Sequence, residues 1–325
     1  MIRLVNIIIL TLTILTSYAQ QLPVHSGNNN NPFLYNPAIA GNKPYIDIRL
    51  QHKNQWLGID GSPSTQLLSA HSSVDKRSYG IGGSIYNDRS GVLSNTGLSL
   101  AYSYHIKLSE TLKLSCGIAA SFAQYRINRN KVIMVHETDN LVDVSNSANT
   151  FAPNAGGGIY FYNDGNFYVG ISALNLIPLK INYQNISATP QVGHYYLMAG
   201  KTFYIGESFS LQPTALLNYF ENNPLMVDLR MKLDYNEFLQ IEAGYRIKDG
   251  LIAGFGIYPH PDFGVSYNYN LSLTSMRTGN YGVHELMLNY IFYYRPAYKM
   301  VRRRYKWIDR SNKSDGSNGS IPQID

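Results

Sequence analysis

The chain runs to 325 residues, 15% charged and 44% hydrophobic, with 27 Tyr, 27 Gly and a single Cys, Cys116. So low a charge content lies well under the roughly 25% of an average soluble domain, the Tyr and Gly content suits strands and turns rather than a helical bundle, and one Cys excludes an intramolecular disulfide framework. Of the formal net charge of +6, +5 gathers in residues 295–325, where eight Lys or Arg face three Asp, so the basic balance describes a tail and not a nucleic-acid-binding domain.

Met1-Ile-Arg3, the apolar stretch Leu4 to Leu15 and the small residues of Ser17-Tyr18-Ala19 predict a signal peptide over 1–19, cut after Ala19. No other apolar run approaches the ~18–20 residues of a membrane-spanning helix, which excludes helical membrane proteins and leaves a β-barrel open. Residues 20–43 are rich in Asn, Pro and Gly and have no period of 2 or 3.6, so they read as a periplasmic or plug-like lead-in.

From there the pattern is β throughout. Leu98, Leu100, Tyr102, Tyr104 and Ile106 alternate with Ser99, Ala101, Ser103 and His105, and Val227, Leu229, Met231 and Leu233 alternate with Asp228, Arg230 and Lys232. About fourteen such segments are predicted: 44–53, 64–73, 79–87, 94–107, 112–125, 154–162, 166–174, 194–204, 209–220, 225–233, 239–247, 250–257, 263–273 and 283–293. Most are long enough to match the ~9–11 residues that cross a bilayer at a tilt rather than the ~5–6 of globular sheets. Even-to-odd links are short, while odd-to-even links include 54–63, 126–153, 175–193 and 274–282, the asymmetry of an even-stranded barrel with both termini in the periplasm. Tyr102, Tyr104, Tyr160, Phe161, Tyr162, Tyr290, Phe292, Tyr293 and Tyr294 gather near strand ends, where barrels carry aromatic girdles. The expected fold is all-β, a transmembrane antiparallel barrel over 44–294, followed by a basic periplasmic tail over 295–325 that ends flexibly at 314–325.

Chemical motifs are poor. His136-Glu137 lacks the second His of a zincin helix, Gly156-Gly157-Gly158 lacks the Lys-Ser/Thr of a phosphate loop, and a Ser near His71 or His105 in sequence does not make a nucleophile with its base. No catalytic, cofactor-binding or metal-binding residue is assigned; the chain reads as a non-enzyme. Close packing or a bend accounts better for the glycine triplet.

Local sequence is more specific. Asn31-Pro-Phe-Leu-Tyr-Asn-Pro-Ala-Ile-Ala-Gly41, Gln55-Trp-Leu-Gly58-Ile-Asp-Gly61-Ser-Pro63-Ser-Thr65 and Ser69-Ala-His71 come first. Gly80-Ile-Gly82, Asn87-Asp-Arg-Ser-Gly91, the Leu114-Ser-Cys-Gly117 strand and His284-Glu285-Leu286 follow in order. Together they resemble the PorP/SprF family over roughly residues 31–294. That resemblance implies an outer-membrane barrel of type IX secretion and gliding, partnered with a secreted surface adhesin or with periplasmic machinery, and no enzymatic activity. The chain departs from many outer-membrane barrels in continuing about thirty residues past Tyr294.

By themselves Asn36-Pro37 and Gly41 suit a tight turn feeding the first strand, and Gly58, Gly61 and Pro63 shape a loop around Trp56. Trp56 is a candidate partner-binding residue, since an exposed loop Trp can anchor an interface; Arg302, Arg303, Arg304 and Trp307 are candidates for docking on an anionic periplasmic surface. A porin or solute channel is the alternative, with Asp228, Arg230, Lys232, Glu242 and Arg246 facing a wet lumen.

Overall fold

The computed structural model describes residues 30–74, 78–127, 149–163, 166–178, 181–183, 186–188, 192–220, 223–273 and 281–293. In the first half of the chain β1 (Ile46–Gln55), β2 (Ser64–Val74), β3 (Tyr79–Ser90), β4 (Leu93–Lys107), β5 (Leu112–Ile127), β6 (Asn149–Asn163) and β7 (Phe167–Leu174) form an antiparallel meander. A separate two-stranded hairpin, β8 (Ile181–Tyr183) and β9 (Ile186–Ala188), lies in the next connection. The meander resumes with β10 (His194–Lys201) and its short continuation β11 (Phe203–Ile205), then β12 (Phe209–Phe220), β13 (Met226–Tyr235), β14 (Leu239–Arg246), β15 (Gly250–His260), β16 (Phe263–Ser272) and β17 (Val283–Phe292). β17 pairs back onto β1 from Ile46 opposite Phe292 to Gln55 opposite Val283, which closes a 14-strand barrel. Closure satisfies every edge, the condition for backbone to stand in hydrocarbon.

The polarity of the barrel is inverted relative to a soluble protein. Leu50, Leu68, Ile85, Leu100, Ile118, Ile171, Leu229 and Phe255 point outward and stand exposed, whereas Asp47, Gln51, Lys53, Asp228, Arg230, Glu242 and Glu285 point inward and are buried. In water that arrangement would expose a continuous apolar belt; against lipid it is the stable one. Outward aromatics mark both ends of the belt: Tyr79 and Tyr104 lie 5.3 Å apart by ring centroid, with Phe209 beside Tyr235 at 4.9 Å, at the rim that holds residues 45 and 293, and Tyr195 beside Tyr219 stands toward the opposite rim. We call these the near and far rims.

Two expectations are corrected. Tyr160 and Tyr162 do not join a girdle; both turn into the lumen and are buried, because the inward parity of β6 carries the even-numbered residues from Ala152 to Tyr162. β6 also starts five residues before the predicted 154, running through Pro153 opposite Phe122. Pro153 is tolerated there because β7 pairs with β6 only from Gly157 onward, leaving no ladder bond for the missing N–H to break. At the β10–β11 break the Thr202 N–H still donates to the Asn166 carbonyl, at 2.6 Å, one step beyond the Lys201–Phe167 pair.

If the outward face meets lipid, a charge placed in mid-belt should be costly. Ile118→Arg, at an outward position 66% exposed in mid-β5, should lower folding stability in vesicles by about 2–4 kcal/mol. Denaturant titration in lipid checks this, and Lys107→Arg at the near rim should be neutral.

Candidate functional site: a lumen filled from within

Residues 30–41 lie inside the barrel. They form two single-turn 3-10 helices, Pro32–Leu34 and Pro37–Ile39, each opened by Pro, whose fixed φ suits a first helical position. Asn36 caps the second: its Oδ1 accepts from the Ala38 N–H at 2.9 Å. Gly41, at φ +69°, then turns the chain out toward β1. The tight turn expected at Asn36-Pro37 and Gly41 is present, and its place is the lumen near the near rim.

The plug is seated on glycine. A Cβ on Gly117 (β5) would stand closer than 3.0 Å to backbone atoms of Pro37 and Ala38, and one on Gly158 (β6) would strike the Asn36 side chain. Gly80 (β3) meets the Ala40 carbonyl in the same way. Hydroxyls beside this floor supply donors: Ser115 Oγ donates to the Ala38 carbonyl at 2.6 Å, Ser103 Oγ to the Ala40 carbonyl at 2.6 Å, and Ser172 Oγ to the Tyr35 carbonyl. Asn36 Nδ2 donates to the carbonyls of Ile159 at 3.0 Å and Ile171 at 3.3 Å, joining the plug to the β6–β7 ladder. Phe33, Tyr35, Ala38, Ile39 and Ala40 pack with Tyr160, Tyr162, Tyr196, Met198 and Leu216 in one buried cluster. The apolar core of this protein is therefore inside its barrel, between plug and wall.

His105 and His71 serve the same contact. His105 Nε2 lies 2.7 Å from the Ala40 carbonyl and 3.0 Å from Ser103 Oγ, with Nδ1 3.0 Å from the Tyr162 hydroxyl; the Gly41 N–H meets His71 Nδ1 at 3.4 Å. Both ring nitrogens of His105 are thus taken up in structural hydrogen bonds, and His71 Nδ1 accepts from the plug backbone.

The other side of the lumen is ionic. Arg230 (β13) binds Asp228 with Nε at 2.7 Å and Nη2 at 2.8 Å, and its Nη1 binds Glu242 (β14) at 2.7 Å; Arg246 (β14) binds Asp228 at 2.8 Å and Asp249 at 3.1 Å. On β1, Arg49 holds Asp47 at 2.8 and 2.6 Å, while Gln51 donates to Glu285 of β17. Buried charge is tolerated only when paired and hydrogen-bonded, and the period-2 strands set these residues on facing inward positions. Below the plug, toward the near rim, a cavity of about 280 Å³ remains.

Trp56 sits at the far rim, half-buried, at φ +53°. Its N–H donates to the Gly282 carbonyl at 2.8 Å, the Tyr281 N–H donates to the Leu57 carbonyl at 3.0 Å, and the Gly91 N–H donates to the Gly61 carbonyl at 2.8 Å, so its loop is latched to the β3–β4 and β16–β17 connections. Leu57, Ile59 and Tyr281 are exposed around it. The other candidates, Arg302, Arg303, Arg304 and Trp307, lie outside the described residues, as do most of loop 126–153 and the tail.

Sequence reasoning named the lumen charges and the glycine triplet but missed Asn36 as the hub, along with the Ser103, Ser115 and Ser172 donors. The available signal was that the motifs Asn31 to Gly41, Gly80-Ile-Gly82 and Leu114 to Gly117, remote in sequence, each carry small or amide residues fit to meet one another.

The profile of the type IX secretion system membrane protein PorP/SprF family matches residues 17–290. No curated protein matches the chain. Among solved structures it is similar to the Ralstonia pickettii toluene transporter TbuX, with a TM-score of 0.47, 10% identity and coverage of 80% of this chain and 91% of that one. The Pseudomonas putida toluene transporter TodX gives 0.46, 10%, 81% and 92%, and the Acinetobacter baumannii outer membrane protein Omp33 gives 0.45, 8%, 76% and 98%.

The glycine seat predicts how the plug can be dislodged. Gly117→Leu should prevent seating while leaving the outward face intact, so residues 30–41 should become cleavable by protease in the folded protein. Asn36→Ala, which removes hydrogen bonds made by a fully buried amide, should weaken seating by about 1–3 kcal/mol. Limited proteolysis with the barrel's resistance to denaturation as control checks both.

Proposed function

The chain belongs to the PorP/SprF family of type IX secretion system membrane proteins and is an outer-membrane β-barrel, and from that premise we propose that it is a non-enzymatic partner of secretion, engaging a secreted surface adhesin or the periplasmic machinery, and not a solute channel. The observation that carries this reading is the occupied lumen: residues 30–41 fill one side on a glycine floor, and paired charges cross the other. A channel for solutes needs a continuous wet path, whereas a docking component needs rigid rims. In this reading both chain ends face the periplasm, the far rim with Trp56, Leu57 and Ile59 faces outward, and the basic and aromatic residues Arg302, Arg303, Arg304 and Trp307 are candidates for contact with the machinery.

Two measurements test it together. Deletion should abolish surface display of one secreted protein with small-solute uptake unchanged, and the purified protein in planar bilayers should show no steady conductance until Gly117→Leu unseats the plug. Large steady conductance of the unaltered protein, with normal display in the deletion strain, would reverse the reading in favour of a porin.

A further inference from the structure

We propose that the near-rim cavity is a binding site for a short acidic peptide segment. This rests on the periplasmic placement of the near rim given above. The cavity, about 280 Å³, sits just under the ~300–1,000 Å³ typical of ligand pockets and holds a fragment of extended chain. Its ceiling is the plug, through Pro32, Ile39 and Asn42, and its walls come from both halves of the barrel.

Its charge is one-sided. Lys43, Arg49 and Lys232 line it, and the single lining carboxylate, Asp47, already accepts from Arg49 at 2.8 and 2.6 Å and from Asn289 Nδ2 at 2.8 Å. Lys232 forms no hydrogen bond and no ion pair within 4.0 Å among the described residues; Glu242, opposite it in register, gives Oε1 to Arg230 and acts on Lys232 only at longer range, as does Asp234, two residues along β13, which accepts from Gln240 Nε2 at 2.9 Å; neither carboxylate lines the cavity. An ammonium that faces a polar cavity and has no bonded partner gains most from an anionic one.

The neutral groups say what carries that anion. Gln212 and Gln240 both line the cavity and commit their amide nitrogens within the wall, on Thr202 Oγ1 at 3.1 Å and on Asp234 Oδ2 at 2.9 Å, while their side-chain oxygens make no hydrogen bond among the described residues. A free small carboxylate only accepts hydrogen bonds, and inorganic phosphate at neutral pH brings one or two O–H donors on a single centre, too few and too close together to reach Lys232, Gln212 and Gln240 at once. A peptide offers N–H donors and C=O acceptors along with the acidic group, and so matches ammonium, amides and the Tyr168 and Tyr258 rings together. Lipid is excluded by position, since Lys232 points into the lumen and the leaflet lies outside the wall.

The test uses the full-length protein in detergent micelles and a fluorescent Gly-Ser-Glu-Asp-Ser-Gly peptide, read by anisotropy beside its Gln/Asn counterpart. The acidic peptide should bind at least roughly tenfold tighter, the gain expected of one charged hydrogen bond. Lys232→Gln should remove that discrimination, and Gln212→Leu should weaken both peptides while leaving the preference in place. Inorganic phosphate at equal concentration should not compete. Equal binding of the two peptides, discrimination that survives Lys232→Gln, or displacement by phosphate would each overturn the proposal. Resistance of the barrel to denaturant confirms that each variant folds. The two readings fail separately: loss of peptide discrimination with an intact display defect on deletion sinks the cavity proposal alone, whereas normal display in the deletion strain sinks the secretion role whether or not the peptide binds.

Discussion

Backbone hydrogen bonding in hydrocarbon is the constraint from which the rest of this molecule follows. No water is available to an unpaired N–H or C=O in a bilayer, so the strands must close, and the ten-residue β1–β17 ladder performs that closure. Closure gives every strand one face toward lipid and one toward an interior, and lipid takes the apolar one. The usual arrangement of a protein core is then unavailable to most of the wall, whose inward positions are largely polar, charged or Gly, with apolar and aromatic side chains such as Tyr160, Tyr196, Met198 and Leu216 gathered where the plug lies. An apolar core forms only where another piece of chain is brought inside.

That piece is the segment just ahead of β1. Bringing it against β3 to β7 orders about a dozen residues, which costs roughly 1–2 kcal/mol each in backbone entropy, so the seat must return many close contacts. Glycine on the wall side makes this feasible: removing Cβ at Gly117 and Gly158 lets backbone approach backbone, and hydrogen bonds from Ser115, Ser103 and Ser172 then reach the plug carbonyls directly. Glycine in strands is ordinarily a weakness, and here the weakness is offset by the plug that takes the place of the missing side chains. The two Pro-initiated turns matter for the same reason, because a chain already restricted in φ loses less freedom on docking.

Opposite the plug the lumen is held by charge. Asp228 is shared by two guanidinium groups and Arg230 by two carboxylates, so no member of the set is left alone in a poorly hydrated space. The two halves of the interior use different physics, an apolar contact with hydroxyl donors on β3 to β10 and an ion-paired ladder on β13 and β14, and the near-rim cavity lies where the two meet. That boundary position is why its walls combine phenols, amides and the Lys232 ammonium.

The sequence by itself determined the strands. Alternation with period 2 is local, so Leu98 to Ile106 and Val227 to Leu233 announce both their conformation and their two faces, and the predicted segments 64–73, 209–220 and 283–293 lie within a residue of β2, β12 and β17. The family motifs, likewise contiguous, were legible, and so were the inward charges on β13. Only the tertiary structure decided that Asn31 to Gly41 enters the barrel, because nothing local distinguishes a turn over the mouth from a turn within it; the deciding contacts join Asn36 to Ile159 and Ile171 across 123 and 135 residues. The inward turn of Tyr160 and Tyr162 escaped the reading for a related reason. A Tyr near a strand end suits either a lipid interface or a core, and parity within a closed register, not residue type, chooses between them.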